Sequence, residues 1–186
     1  HAERQASWRV RIVVQKFGGT SVATEERRRQ VAAHIRRARE EGHAVVAVVS
    51  AMGRRGDPYA TDTLLDLLAR EAGGAEPDPR ERDQLLCCGE IVASAVVAQT
   101  LLREGLPAVS LTGAQAGIVT DGRYGEARIV QIRTDAIHRL LSAGRIPVVA
   151  GFQGVSEDGE MTTLGRGGSD TTAAALGVAL GADLIE

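Results

Sequence analysis

Ala44–Ser50, AVVAVVS, decides the fold. It is a continuous apolar run without the polar alternation of a half-exposed strand. Both faces of the strand it forms must therefore be covered, as in a parallel sheet with helices on either side. Upstream, Arg11–Lys16 is a short β-branched run that breaks at Gly18-Gly19. Glu25–Glu41 has helical spacing, with Val31, Ile35 and Ala38 on one face and Gly42 as its stop. Downstream, Ala51–Ala60 reads as a surface loop, Thr61–Glu71 as a helix and Ala72–Arg80 as a second loop. A long helix is expected from Glu81 to Glu104. Its stripe of Leu85, Cys88, Val92, Ala95 and Leu102, with Leu86, Ile91 and Val97 on other faces, predicts that it is largely buried.

The alternation continues to the end of the chain. Pro107–Leu111 and Ile146–Gly151 read as strands, Ile129–Ile132 as a further one, and Thr134–Ala143 as a short helix. Phe152–Leu164 predicts a hairpin turning at Asp158-Gly159. Ser169–Leu180 is a helix apolar nearly all round, and Asp183–Glu186 begins one more strand. The expected fold is α/β: a three-layer αβα sandwich around a mainly parallel sheet, formed by residues 11–186 after a tail at 1–10.

Composition narrows the function. The 186 residues are 44% apolar and 25% charged with two Cys, which excludes a disordered chain or a disulfide scaffold. A net charge of −2 does not predict a sequence-blind nucleic-acid binder. No apolar run is read as approaching the roughly 18 residues of a membrane span, and no signal-peptide pattern opens the chain. A soluble cytoplasmic protein without membrane or nucleic-acid partners is expected. Cys87 and Cys88 read as buried filler. The four His are scattered and predict no metal cluster and no nucleophile–base pair.

Two glycine-rich strand exits stand out. In Lys16-Phe17-Gly18-Gly19-Thr20-Ser21, paired glycines let backbone N–H groups approach an anion ahead of a helix N-terminus. A tight turn with a solvated Lys would explain the pattern as well. That the single Lys among 22 basic residues falls here favours function, since Lys supplies a mobile point charge. The second is Leu164-Gly165-Arg166-Gly167-Gly168-Ser169-Asp170, with Ser169 expected as N-cap, Asp170 in the first turn and Arg166 able to grip a carboxylate or phosphate. A structural cap needs the Ser and one Gly, not three Gly around an Arg. No Walker A loop is present and the dinucleotide fingerprint is poor. Glu90 sits among apolar residues. Either it faces a cavity and binds a cation such as a substrate ammonium, or the helix exposes that edge. Ser50 and Thr61-Asp62 are each more simply read as caps.

Taken in order, VVQKFGGTSV (Val13–Val22), VVSAMG (Val48–Gly53), CGE (Cys88–Glu90), LTGAQAG (Leu111–Gly117), VVAGFQG (Val148–Gly154) and TTLGRGGSDTTA (Thr162–Ala173) resemble the aspartate kinase family of the amino-acid kinase superfamily. The insert GRRGDPYATDTL is most similar to a bacterial subgroup whose lysine-pathway isozymes respond to late intermediates. The resemblance implies transfer of the γ-phosphoryl group of MgATP to the side-chain carboxylate of L-aspartate. The product would be 4-phospho-L-aspartate, on the way to diaminopimelate and lysine, threonine and methionine. It implies Lys16 on the transferred phosphoryl group, with Gly18, Gly19 and Thr20 beside it, and Asp170 orienting Lys16. It implies Ser50, Thr61, Glu90 (α-ammonium), Arg166 (α-carboxylate), Gly168 and Ser169 around aspartate. Family members continue with strands and helices that cradle the nucleotide and with ACT regulatory domains. The chain is therefore expected to be incomplete at its C-terminus, and a homo-oligomer when full length. The alternatives are a non-catalytic aspartate-binding fragment, or another amino-acid kinase acting on acetylglutamate or glutamate.

Overall fold

The computed structural model describes residues 10–165 and 167–186. Of the expected tail only Val10 is therefore described, and Arg166 lies outside the described residues. The backbone alternates strand and helix in the expected order. β1 (Arg11–Phe17) leads through a 3-10 turn to α1 (Glu25–Glu40) and β2 (His43–Val49). After α2 (Thr61–Glu71) and α3 (Pro79–Arg103) come β3 (Ala108–Leu111), β4 (Ile118–Thr120) and β5 (Ile129–Ile132). Next are α4 (Asp135–Ser142), β6 (Ile146–Ala150), β7 (Gln153–Ser156), β8 (Met161–Thr163), α5 (Gly168–Leu180) and β9 (Leu184–Ile185).

Five strands form one sheet in the order β3-β6-β2-β1-β9, every pair parallel. The alternation of side chains along β2 shows why its sequence has no polar face. Val45, Ala47 and Val49 pack into a core shared with Ile35 of α1 and Val97 and Leu101 of α3. Val46 and Val48 pack on the other side with Ile137 of α4 and Leu176 of α5. β1 repeats the division, with Val13 on the first side and Val14 on the second. The three-layer sandwich with a mainly parallel sheet is therefore present.

Four features depart from the sequence reading. A second, mixed sheet, β5-β4-β7-β8, lies beside the first. Its strand β4 is absent from the sequence reading, because a three-residue run followed at once by Asp121-Gly122 carries too little pattern. The buried face of α3 is Asp83, Leu86, Cys87, Gly89, Glu90, Ala93, Ser94, Val97, Ala98 and Leu101. The stripe expected inside is half-buried or exposed, with Cys88, Ala95 and Leu102 open to solvent. The heptad-spaced apolar row thus lies at the margin of the buried face, with Val92 packed against the core, and Cys88 is not buried filler, whereas Cys87 is. By length and composition α3 could also cross a membrane, contrary to the sequence expectation, although half of its most apolar window is buried inside this fold. Finally, Ser169 does not cap α5. The N-cap is Gly167, in the left-handed region at φ 69°, a conformation open to glycine without steric cost.

Candidate active site

The carboxyl ends of β1, β2 and β6 and the N-terminus of α5 meet around a cleft of about 550 Å³. Open parallel sheets gather ligands at this end. Lys16 enters from β1, and its ammonium lies 3.2 Å from Asp170 Oδ1 in the first turn of α5. The Lys16 side chain is 30% exposed and that of Asp170 74%, so the pair orients the ammonium more than it stabilises the fold. Ser50, just past β2, donates its hydroxyl to Ser169 Oγ at 2.9 Å, joining the exit of β2 to α5. Gly151 permits that approach, since a Cβ there would meet Ser169 Oγ at 2.8 Å.

Glu90 reaches the cleft from α3 and is 2% exposed. Among the described residues its buried Oε2 has no hydrogen-bond partner. Burial raises its pKa to about 8, and the nearby backbone amides of Glu90 itself and Ala51 pull it down by less. The open choice at this residue is thereby decided: the carboxyl faces a cavity. A buried carboxyl with a free oxygen, in a cleft that also holds Lys16 and a helix N-terminus, is chemically suited to a ligand carrying both charges.

Most of the expected site residues converge. Lys16, Gly19, Ser50, Thr61, Glu90, Gly168, Ser169 and Asp170 all line this cleft. Gly18 and Thr20 do not, although a side chain at Gly18 would come within 3.6 Å of the Lys16 ammonium. Thr20 is exposed in the 3-10 turn. Thr61 opens α2 without a side-chain cap. The loop before it is tied down by ion pairs from Arg55 to Asp62 and Asp66. Among the described residues no three His, Cys, Asp or Glu side chains converge as for a metal.

Sequence reasoning missed Phe152. It is the one non-glycine residue with positive φ among those described, at 70°. The strained turn is held by the Phe152 N–H donating to Thr172 Oγ1 at 3.1 Å and its carbonyl accepting from Leu164 N–H at 2.8 Å. Its ring lies where a Gly168 side chain would sit, so that glycine is needed for the ring to wall the cleft. The signal was an aromatic directly after a strand-ending glycine.

Residues 11–186 match the model of the amino acid kinase family. The chain is 50% identical over 177 residues to Aspartokinase 1 of Bacillus subtilis, covering 95% of this chain and 43% of that protein. It also resembles the crystal structure of aspartate kinase from Synechocystis, with a TM-score of 0.76 and 45% identity over 93% of this chain and 27% of that one. E. coli aspartokinase III in complex with lysine and aspartate gives a TM-score of 0.74 at 25% identity, covering 94% of this chain and 48% of that one. The chain thus spans less than half the length of these relatives.

Proposed function

The chain belongs to the amino acid kinase family, and on that premise we propose that residues 11–186 carry the substrate-binding part of an aspartate kinase. Such an enzyme transfers the γ-phosphoryl group of MgATP to the β-carboxylate of L-aspartate. The observation that carries this reading is the buried Glu90 oxygen, without a partner among the described residues, in the cleft of the Lys16–Asp170 pair. Glu90 would hold the α-ammonium of aspartate. Arg166, outside the described residues, would take its α-carboxylate, with Gly168 and Ser169 at the same end. Ser50 and Thr61 would line the rest. The β-carboxylate is then left facing Lys16.

In the proposed reaction an oxygen of that carboxylate bonds to the γ-phosphorus while the bond to the bridging oxygen breaks, and ADP leaves. The acceptor is ionised at pH 7, so no general base is required. The protein's task is charge neutralisation and alignment. Lys16 would neutralise the moving phosphoryl group, with Gly18, Gly19 and Thr20 beside it and Asp170 steering the ammonium. ATP would arrive as its magnesium salt, the ion offsetting polyphosphate charge. A cytoplasmic location and a homo-oligomeric whole protein belong to the same proposal.

Calorimetry and a phosphorylation assay with L-aspartate, L-glutamate and N-acetylglutamate test it. L-aspartate is expected to bind most tightly, and N-acetylglutamate, which lacks an ammonium for Glu90, to bind at least tenfold more weakly. Lys16→Ala should abolish phosphoryl transfer with the fold retained by circular dichroism. Preferred phosphorylation of either glutamate compound would refute the reading. A second reading is an aspartate-binding module without turnover. Aspartate binding with no MgATP consumption would support that module.

A further inference from the structure

Seven residues before Glu90, α3 carries a second buried acid that the proposed chemistry leaves unused. Asp83 is 0% exposed. Its Oδ2 accepts the N–H groups of Thr163 at 2.8 Å and Gly125 at 2.9 Å, and its Oδ1 accepts the Thr163 hydroxyl at 2.9 Å. The Arg82 guanidinium stands 3.5 Å from Oδ1. A carboxylate removed from water needs such partners. What matters is where they lie. Thr163 ends β8, and the chain from there runs through Leu164 and Gly165 into the loop that delivers Gly168, Ser169 and Asp170 to the cleft. Gly125 lies between β4 and β5 and also lines the cleft.

We propose that Asp83 is a positioning residue, which pins the exit of β8 and the Gly125 turn to the same helix that bears Glu90. It thereby sets the span between Glu90 and the Gly168–Ser169 end of the cleft, and with it the length of acidic substrate that fits. The helix is the ruler: seven residues at the α-helical rise separate the two acids by about 10 Å along its axis. Gln153 secures the ruler between them, its Nε2 donating to the Cys87 carbonyl at 2.8 Å while its Oε1 accepts from Gly113 N–H at 3.2 Å. In identifying the substrate as aspartate, the proposal rests on the aspartate kinase reading.

Two readouts on the chain as it stands test it: calorimetric L-aspartate affinity, and amide hydrogen exchange at Gly167–Asp170. Asp83→Ala is expected to weaken aspartate binding at least tenfold and to speed exchange in that loop at least tenfold. Asp83→Asn, whose carbonyl oxygen can still accept both backbone N–H groups while its amide N–H donates to a rotated Thr163 hydroxyl, should stay within about threefold of the unaltered chain in both. Thr163→Val, which removes only the hydroxyl contact, supplies the measurement if Asp83→Ala does not fold; three- to tenfold losses are expected. Unchanged loop exchange and affinity in folded Asp83→Ala or Thr163→Val would overturn the proposal. So would a melting temperature that falls with both readouts unmoved, since Asp83 would then serve stability alone. If the unaltered chain binds no aspartate, the kinase reading fails, and the positioning role stands or falls on loop exchange.

Discussion

The Glu90 carboxyl holds its proton at neutral pH, because burial lifts its pKa from 4.5 to about 8. In the unfolded chain it would ionise near its ordinary value. Between pH 4.5 and 8 the folded protein therefore binds more protons than the unfolded one, and this residue makes stability fall as pH rises through that window. Below the window both states are protonated and the effect vanishes. A displacement of this size corresponds to at most about 5 kcal/mol. Glu90→Gln, which cannot ionise, should therefore melt higher than the unaltered chain at pH 8 and show no gap at pH 4. An ammonium ligand reverses the preference, because it favours the ionised form. L-aspartate binding at pH 7 should release a proton, seen as a calorimetric enthalpy that changes with the buffer, and Glu90→Gln should lose both binding and release. A buffer-independent enthalpy would contradict the assigned role. The need for a partner was legible from one acid among Leu, Cys, Ile and Val. Which way it faced was not, since spacing along one helix does not say what packs on each side.

At the scale of the element, α3 shows where pattern reading succeeds and where it misleads. Its beginning is chemically explicit. Asp78 accepts from the N–H groups of Arg80 and Glu81, and Pro79 opens the helix where a missing N–H costs nothing. Asp78→Ala should cost about 1 kcal/mol of stability, measured by denaturant unfolding, with aspartate affinity unchanged. A change in affinity would mean that the helix end is coupled to the cleft. Its apolar stripe, by contrast, pointed to the wrong face. Leu85, Cys88, Val92, Ala95 and Leu102 have ideal spacing, yet the face turned inward includes Asp83, Glu90 and Ser94. Hydrophobic period identifies a helix but not its rotation when apolar residues occur all round it. At α5 a good capping residue was likewise present and unused, because the helix begins at Gly168 and leaves Ser169 inside its first turn, where its hydroxyl accepts from Ser50.

Across the whole molecule, one parallel sheet joins two cores. Leu101 lies fully buried on the α1 and α3 side and Leu176 fully buried on the α5 side. Truncating either to Ala should cost about 2–5 kcal/mol. Because β1 and β2 contribute to both cores, each change should lower a single cooperative transition, checked by agreement of fluorescence and circular dichroism melts. Separate transitions for the two sides would show that the sheet does not couple them. The sequence by itself determined the alternation of strand and helix, the parallel sheet covered on both faces, and the two glycine-lined strand exits. Those depend on local periodicity and turn chemistry, which neighbouring residues carry among themselves. Only the tertiary structure decided that the second sheet forms, that Glu90 turns inward, that Phe152 walls the cleft and that Asp83 ties a helix to a distant loop. Each of these depends on contacts between residues far apart in the chain, and such contacts leave no period in the sequence.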